Sequence, residues 1–355
     1  MESSNRITGN IFLFHAFDVG EEIDLDAIKH DHTVNLITRP LAKYFKNYHI
    51  PLSVEHTACA QHCEQAQLHN FGVITLRYRI PFSTTLEDLR KTVMQVEDEY
   101  TSYSLQDAGN LFQQVESYIK QARFFHIHNS YVLIQISSLP QYGGIAQIKQ
   151  EYGDIIASLL RFETEILSEH QKNEILEGAF SYYQKDFVII DIHAALIWDE
   201  EYEEILDLFE FANMQHLELQ YFDRLLDTQL SIAYEQEKKS PPMTAYLPFI
   251  GGLVSDPVGD LNKLKVDISV ITDRLENSIK ITGEAYFSIL YRMLSQKLDL
   301  ENWRESIDGK LAIIHDIGSI YQHKLEVIRE DLLTCSIIVL IILELLMGLV
   351  NLYHQ

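Results

Sequence analysis

One apolar run near the end of the chain constrains the fold more than any other feature of the sequence. Residues Ser336–Val350 read SIIVLIILELLMGLV, and Glu344 is their only ionisable side chain. A helix over residues 332–352 would be about 31 Å long, close to the hydrocarbon thickness of a bilayer. The run therefore predicts a C-terminal transmembrane helix over 332–352. The alternative interpretation is a buried core or oligomer-interface helix of a soluble protein.

Glu344 restricts how such a helix can lie in a bilayer. An ionised carboxylate near the bilayer centre costs on the order of 3 kcal/mol, whereas each leucine, isoleucine or valine contributes about −0.3 to −0.6 kcal/mol. The apolar neighbours can therefore offset the carboxylate, but Glu344 should face another helix rather than lipid. We expect a homo-oligomer for this reason, and a proton- or ion-handling ring of Glu344 side chains is an alternative role.

The distribution of charge excludes one class of function and orients the predicted anchor. The chain has 52 acidic and 28 basic residues, and this balance disfavours nucleic-acid binding because that function requires a basic surface. Lys324 and Arg329 precede the apolar run, and no fixed positive charge follows it, which predicts a body on the cytoplasmic side. The sequence starts without a signal-peptide pattern, and its three cysteines fit a reducing compartment.

A heptad seam precedes the predicted anchor. Its members recur at alternating intervals of four and three residues: Ile307, Leu311, Ile314, Gly318, Tyr321, Leu325, Ile328 and Leu332. Residues 261–275 show the same spacing, so we predict a long antiparallel, coiled-coil-like hairpin of residues 261–297 against 300–330. No proline separates the seam from the apolar run, which predicts one continuous helix from about residue 300 to 352.

The rest of the chain predicts an α+β body over residues 1–198. Residues 71–80 read FGVITLRYRI, and this alternation is typical of a half-buried strand with Thr75, Arg77 and Arg79 exposed to solvent. After the body we predict a long helix at residues 199–237 and then a hinge at 238–260, which holds half of the eight prolines. A hairpin stalk at 261–331 and the transmembrane helix at 332–352 complete the predicted order.

Two stretches resemble a known family. Ala212–Asp227 reads ANMQHLELQYFDRLLD, which resembles a helical motif of the "required for meiotic nuclear division"/YagE-like family. The residues that carry this family-like motif are Asn213, Glu218, Asp223 and Asp227. The ending from Lys324 to Glu344 is similar as well, so the resemblance is mainly over residues 185–352. It implies a membrane-anchored protein that forms oligomers, and the lack of a transit peptide predicts a bacterial member in the inner (cytoplasmic) membrane.

Histidine and cysteine residues form candidate metal sites. If residues 56–63 are helical, His56, Cys59 and Cys63 share one face, and thiolates with imidazole suit zinc. In an extended chain His126 and His128 share a face. Further candidate metal ligands in the body are His30, His32, Asp191 and His193. The main expectation is that no cofactor binds, and a metal-dependent hydrolase using zinc or another divalent metal is the alternative.

The function expected from the sequence is a membrane-tethered oligomeric scaffold or adaptor. Glycine-rich phosphate-binding loops and the H-E-x-x-H and G-x-S-x-G motifs are absent from the sequence. Catalysis is therefore not the leading interpretation. The expected partners are the lipid bilayer, a second copy of this chain and an unidentified protein.

Overall fold

The computed structural model describes most of the chain, and its contacts divide the chain into two compact units. The described residues are 6–32, 34–37, 45, 50–55, 63–124, 127–138, 144–183, 186–199, 201–237, 265–266, 268–269 and 285–353. The first unit comprises Met1–Tyr221 and Ile271–Trp303, and the second comprises Phe222–Val270 and Arg304–Gln355.

The first unit is an α+β body built around a large mixed sheet. In chain order its strands are β1 (Ile7–Asp18), β2 (Glu22–Ile23), β3 (Leu36–Ile37), β4 (Leu52–Val54), β5 (Cys63–His69), β6 (Val73–Thr84), β7 (Ile119–Lys120), β8 (His128–Ser138), β9 (Ala179–Phe180), β10 (Phe187–Ile190) and β11 (Ala194–Trp198). Nine of them form one sheet in the order β3-β4-β5-β6-β1-β8-β11-β10-β9, and β2 pairs separately with β7.

The first strand of the chain lies in the middle of this sheet. β1 pairs antiparallel with β6 from Ile7 opposite Thr84 to Asp18 opposite Val73, and antiparallel with β8 on its other side. β8 and β11 form a parallel pair. Nearly every residue of β1 is buried, because helices cover both faces of the sheet there. This explains why residues 11–17 read as an almost continuous apolar run.

Helices α1 (Leu25–Asp31), α2 (Leu86–Val115), α3 (Ile145–Leu160) and α4 (Glu169–Glu177) also belong to the body. Thr85 caps the N-terminus of α2, since its side chain accepts a hydrogen bond from the backbone N–H of Asp88. The buried face of α2 recurs at helical spacing and packs on β1 and β6 through Leu89, Val93, Leu111 and Val115. One face of the sheet thus has an ordinary apolar core.

Three further helices are α5 (Glu203–Glu237), α6 (Ala285–Lys297) and α7 (Leu300–Tyr353). The part of α5 within the body packs on the second face of the sheet, where Phe209 lies 5.5 Å from Tyr131 between ring centroids. The structure confirms the α+β body and the C-terminal apolar helix, and it extends α7 over 54 residues.

The predicted coiled-coil hairpin is not seen among the described residues. α6 packs against β10 of the sheet and buries Phe287, Leu290 and Leu294 there. The seam of α7 is buried at Ile307, Leu311, Ile314 and Gly318, but Ile328 is partly exposed and Leu332 is exposed. The side chains of Tyr321 and Leu325 lie outside the described part of the chain, as do residues 238–264. Ile307, Leu311 and Ile314 are thus buried within the second unit, and because most of residues 261–284 also lie outside the described residues, the hairpin stays a prediction.

Candidate functional site

The second face of the sheet carries an unusually polar buried layer. On β1, β5, β6 and β8 the side chains that point away from the apolar core include Asn10, Asp18, Gln65, Gln67, His69, Thr75, Arg77 and Gln135, and all of them are buried. α5 adds buried Glu210, Asn213, Gln215 and Glu218. Burying so many polar groups is costly unless they bond to one another, so their partners decide what this layer does.

Arg77 is the centre of one half of the layer. Its side chain is 0% exposed and lies among three carboxylates: Glu64 and Asp207 at 3.3 Å and Glu210 at 3.4 Å between nitrogen and oxygen. Arg77 also donates a hydrogen bond to the side-chain oxygen of Gln65. A buried guanidinium is tolerated only with such charged partners, so Arg77 joins β5 and β6 to α5.

A hydrogen-bonded chain extends from this cluster to His69. The Thr75 hydroxyl donates to Glu210 Oε1 at 2.8 Å, and His69 Nε2 lies 3.1 Å from the same hydroxyl oxygen. Because the single hydroxyl proton goes to Glu210, His69 must carry its proton on Nε2 and donate it to Thr75. Burial lowers the pKa of His69 to about 3, so the ring stays neutral at physiological pH.

A pair of buried carboxyl groups lies at the end of β1. Asp18 accepts a hydrogen bond from the backbone N–H of Gly20 through Oδ1, while its Oδ2 has no hydrogen-bond partner among the described residues. Burial raises the pKa of Asp18 to about 6, and it also raises the pKa of Glu218 well above its usual value, with the charge of Asp18 adding to the effect. Tyr221 and exposed Arg123 lie beside this pair.

The residues of the family-like motif have separate local roles. Asn213 donates to the backbone oxygen of Asn129 at 3.4 Å, and Glu218 belongs to the carboxyl pair. In the second unit Asp223 and Asp227 bind Lys310 Nζ at 2.7 and 2.6 Å. Asp223 also accepts a hydrogen bond from the Ser306 hydroxyl at 2.7 Å. These two aspartates therefore hold α5 against α7 within the second unit.

The predicted metal ligands do not come together in the described part of the chain. Cys63 begins strand β5 instead of lying on a helix, and burial followed by the charge of Asp107 raises the pKa of its thiol to about 12. His56, Cys59 and His126 lie outside the described residues. His128 stacks on Phe17 with ring centroids 5.8 Å apart.

The remaining histidine and aspartate candidates are also dispersed. His30 and His32 are exposed at the end of α1, and His193 is exposed in the turn between β10 and β11. Asp191 is fully buried and pairs with Arg161 and with Lys297 Nζ, the latter at 3.6 Å. Among the described residues, no group of three His, Cys, Asp or Glu side chains is arranged to hold a metal ion.

The second notable feature is the end of α7. By length and composition this helix is able to span a membrane, and its most apolar stretch is not buried. The exposed large apolar side chains are Leu332, Leu333, Ile337, Ile338, Val339, Leu340, Ile341, Ile342, Leu343, Leu345, Leu346, Met347 and Leu349. Glu344 is exposed among them.

Sequence reasoning found the apolar helix but missed the polar layer. The predicted exposure of Thr75 and Arg77 is wrong, because α5 covers them and supplies their partners. Alternation of apolar and polar residues along a strand shows that its two faces differ. It does not show whether the polar face contacts water or a buried hydrogen-bond network. The available signal was in the sequence of α5, where Glu210, Asn213 and Glu218 stand among apolar residues such as Phe209, Ala212 and Leu217.

Comparisons with known proteins correct the family resemblance. A family model described as "Uncharacterized protein MJ0711, N-terminal domain" matches residues 8–204. The uncharacterized protein MJ0711 of Methanocaldococcus jannaschii is 27% identical over 250 residues, which cover 67% of this chain and 71% of the relative. No solved structure matches.

The resemblance to the "required for meiotic nuclear division"/YagE-like family is therefore wrong. It was carried by short helical motifs, and in the first of these Asn213 donates to the backbone oxygen of Asn129 while Asp223 pairs with Lys310. The match over 8–204 instead covers the sheet that holds the polar layer. The chain belongs to the family of the uncharacterized protein MJ0711, whose N-terminal domain is matched by residues 8–204.

Proposed function

We propose that this protein is a membrane-tethered oligomeric scaffold or adaptor whose α+β body is held at a bilayer by α7. The observation that carries the proposal is the exposure of the apolar run on all sides of the helix. Leu343, Leu345 and Leu346 are 49%, 64% and 53% exposed, and at 3.6 residues per turn they point in three different directions. A helix that is apolar all round belongs in a core or in a membrane, and this one lies in no core of the described chain.

The energetics support insertion. Twelve Leu, Ile and Val residues lie between 332 and 349. On insertion scales they contribute about −4 to −7 kcal/mol, against a cost on the order of 3 kcal/mol for an ionised carboxylate at Glu344. Insertion is therefore favourable even before any helix partner relieves Glu344.

The proposed orientation puts the body on the cytoplasmic side. Lys324 and Arg329 precede the apolar run, and positively charged residues next to a membrane helix favour that side. The expectation of a bacterial inner membrane depended on the family resemblance that the comparison overturns, and the matched relative is archaeal.

The mechanism of such a scaffold is positional. A shared membrane anchor confines the bodies to a surface, and clustering of copies raises the effective concentration of whatever protein they bind. A positional role needs a stable body, and the buried polar side chains serve that need, because Arg77 and Thr75 form bonds that hold β6 to α5. Its proposed partners are the bilayer, further copies of this chain and a protein still to be identified.

The proposal is tested by removing and replacing the apolar segment. Membranes from cells that produce the full chain, a deletion of residues 332–355, or a chain with residues 332–349 replaced by an unrelated leucine–alanine span would be washed with alkaline carbonate. We expect the full chain and the replacement to stay in the membrane pellet and the deletion to be soluble. Release of the full chain by carbonate, or retention of the deletion variant in the pellet, would show the tether to be wrong.

A further inference from the structure

One face of the apolar segment differs from the others. A groove runs along it and is lined by residues at the helical spacings i, i+3, i+4, i+7 and i+8: Ile341, Glu344, Leu345, Gly348 and Leu349. We call these five residues the Glu344 face. They form a single stripe along α7, with a polar group at the centre and a missing side chain at Gly348.

Glu344 needs a hydrogen-bond partner that lipid does not offer. Within the described part of the chain its carboxyl group forms no hydrogen bond or ion pair, and Ser336 and Thr334 bond back to the carbonyls of their own helix. Polar groups in the hydrocarbon region face a bundle interior or one another rather than acyl chains. The inserted helix therefore has a directional requirement on this face alone.

Gly348 makes close approach possible on the same face. It follows Glu344 by one helical turn, and a Cβ atom built at Gly348 meets no other atom within 4 Å. Small residues at such positions let two membrane helices approach at backbone distance, which shortens hydrogen bonds between helices and improves van der Waals packing. The notch at Gly348 and the carboxyl group at Glu344 thus favour the same docking direction.

We propose that the Glu344 face docks against the Glu344 face of a second copy of this chain in the membrane. This inference rests on the proposed membrane insertion. Copies that insert with the same orientation place Glu344 at the same depth, so a parallel two-fold arrangement brings the two carboxyl groups together by symmetry. One carboxyl group donates a hydrogen bond to the other, with one proton held between them. A helix of another protein would meet this need only with a polar group at that depth.

The test measures self-association of the purified full-length protein in vesicles of phosphatidylcholine and phosphatidylglycerol. Copies carrying donor or acceptor dyes at the N-terminus report association by energy transfer, and the dependence on acceptor fraction gives the number of copies. The variants are Glu344→Leu, which removes the polar group, Glu344→Gln, which keeps a hydrogen-bonding amide, and Gly348→Leu, which fills the notch. Val339→Leu adds a carbon on the opposite side of the helix and is the matched control.

The expected result is a wild-type dimer, with near wild-type association for Glu344→Gln and Val339→Leu. Glu344→Leu and Gly348→Leu are each expected to weaken association about tenfold, the size of one good interhelical contact. Wild-type association by either of these two variants, or a monomeric wild type, would overturn the inference. Carbonate extraction of the same vesicles separates the two proposals: an inserted monomer refutes the docking face alone, whereas a wild type that carbonate releases refutes the tether.

Discussion

Replacement of Asp18 by asparagine removes an ionisable group that the fold holds in an unfavourable environment. Asp18 is 3% exposed at the end of β1, and its Oδ2 has no hydrogen-bond partner among the described residues. Buried Glu218 lies near it on the α5 side, and Tyr221 and Arg123 are the other ionisable neighbours. Asparagine keeps the oxygen that accepts from Gly20 and replaces the second oxygen with an amide that can donate.

The size of the effect follows from the pKa of Asp18. Burial raises it from 3.8 to about 6, a change of about two units, or about 3 kcal/mol at 1.36 kcal/mol per unit. Since the folded-state pKa is the higher one, ionisation destabilises the fold. This penalty is absent below pH 3.8, grows between pH 3.8 and 6, and is complete above pH 6. Asp18→Asn should therefore stabilise the body by up to about 3 kcal/mol at pH 7.5 and by nearly nothing from this source at pH 3.5.

Urea unfolding of the detergent-solubilised full chain at the two pH values measures this difference. Both tryptophans, Trp198 and Trp303, belong to the first unit, so their fluorescence reports on the unit that contains Asp18. Any effect of the substitution on side-chain packing is the same at both pH values, because packing does not depend on protonation. The difference between the two pH values therefore reports the ionisation of Asp18 alone. Asp26→Asn is the matched control, since the Asp26 side chain is 94% exposed on α1. A gain that is equal at both pH values, or larger in acid, would refute the reasoning.

Two further predictions concern cationic side chains that each pair with more than one carboxylate. Arg77→Met leaves three carboxylates without their shared partner and should destabilise the body by about 3–5 kcal/mol in the same fluorescence assay. Lys29→Met removes the ion pair of a 48% exposed side chain with Asp26 and should cost about 1 kcal/mol or less. Equal costs for the two variants would contradict the assigned role of Arg77. Lys310→Met removes the cation that Asp223 and Asp227 share, so amide hydrogen exchange around residues 307–314 of α7 should accelerate by about tenfold or more. Arg329→Met is the control at an exposed position of the same helix. Unchanged exchange in Lys310→Met would show that this ion pair does not hold the helices together.

The elements that the sequence predicts well are those with a long, regular period. The strand character of residues 71–80, the long helix near 199–237 and the terminal apolar helix all appear in the structure. Each of these elements is defined by which residues of one continuous segment are apolar, and the spacing of apolar residues in the sequence shows this directly.

What the sequence could not provide is the identity of the partner for a polar side chain. Arg77 contacts Asp207, which is 130 residues away in the sequence, and the sequence around either residue contains no signal that identifies the other as its partner. Cys63 illustrates the same problem for secondary structure. Its spacing from His56 and Cys59 suits a helix, but pairing with Tyr78 of β6 places it in a strand, because long-range pairing overrides a short local period.

The central place of β1 has a consequence for synthesis of the protein. This strand is synthesised before both of its neighbours in the sheet, because β6 and β8 begin about 66 and 121 residues later. At about 5–20 residues per second, both edges of this twelve-residue strand stay unpaired for several seconds, and the second edge for roughly 6 to 24 s. The nascent chain is thus most exposed to aggregation before residue 138 has emerged, and slowing translation over residues 85–127 should lower the yield of folded, detergent-extractable protein more than slowing it after β11.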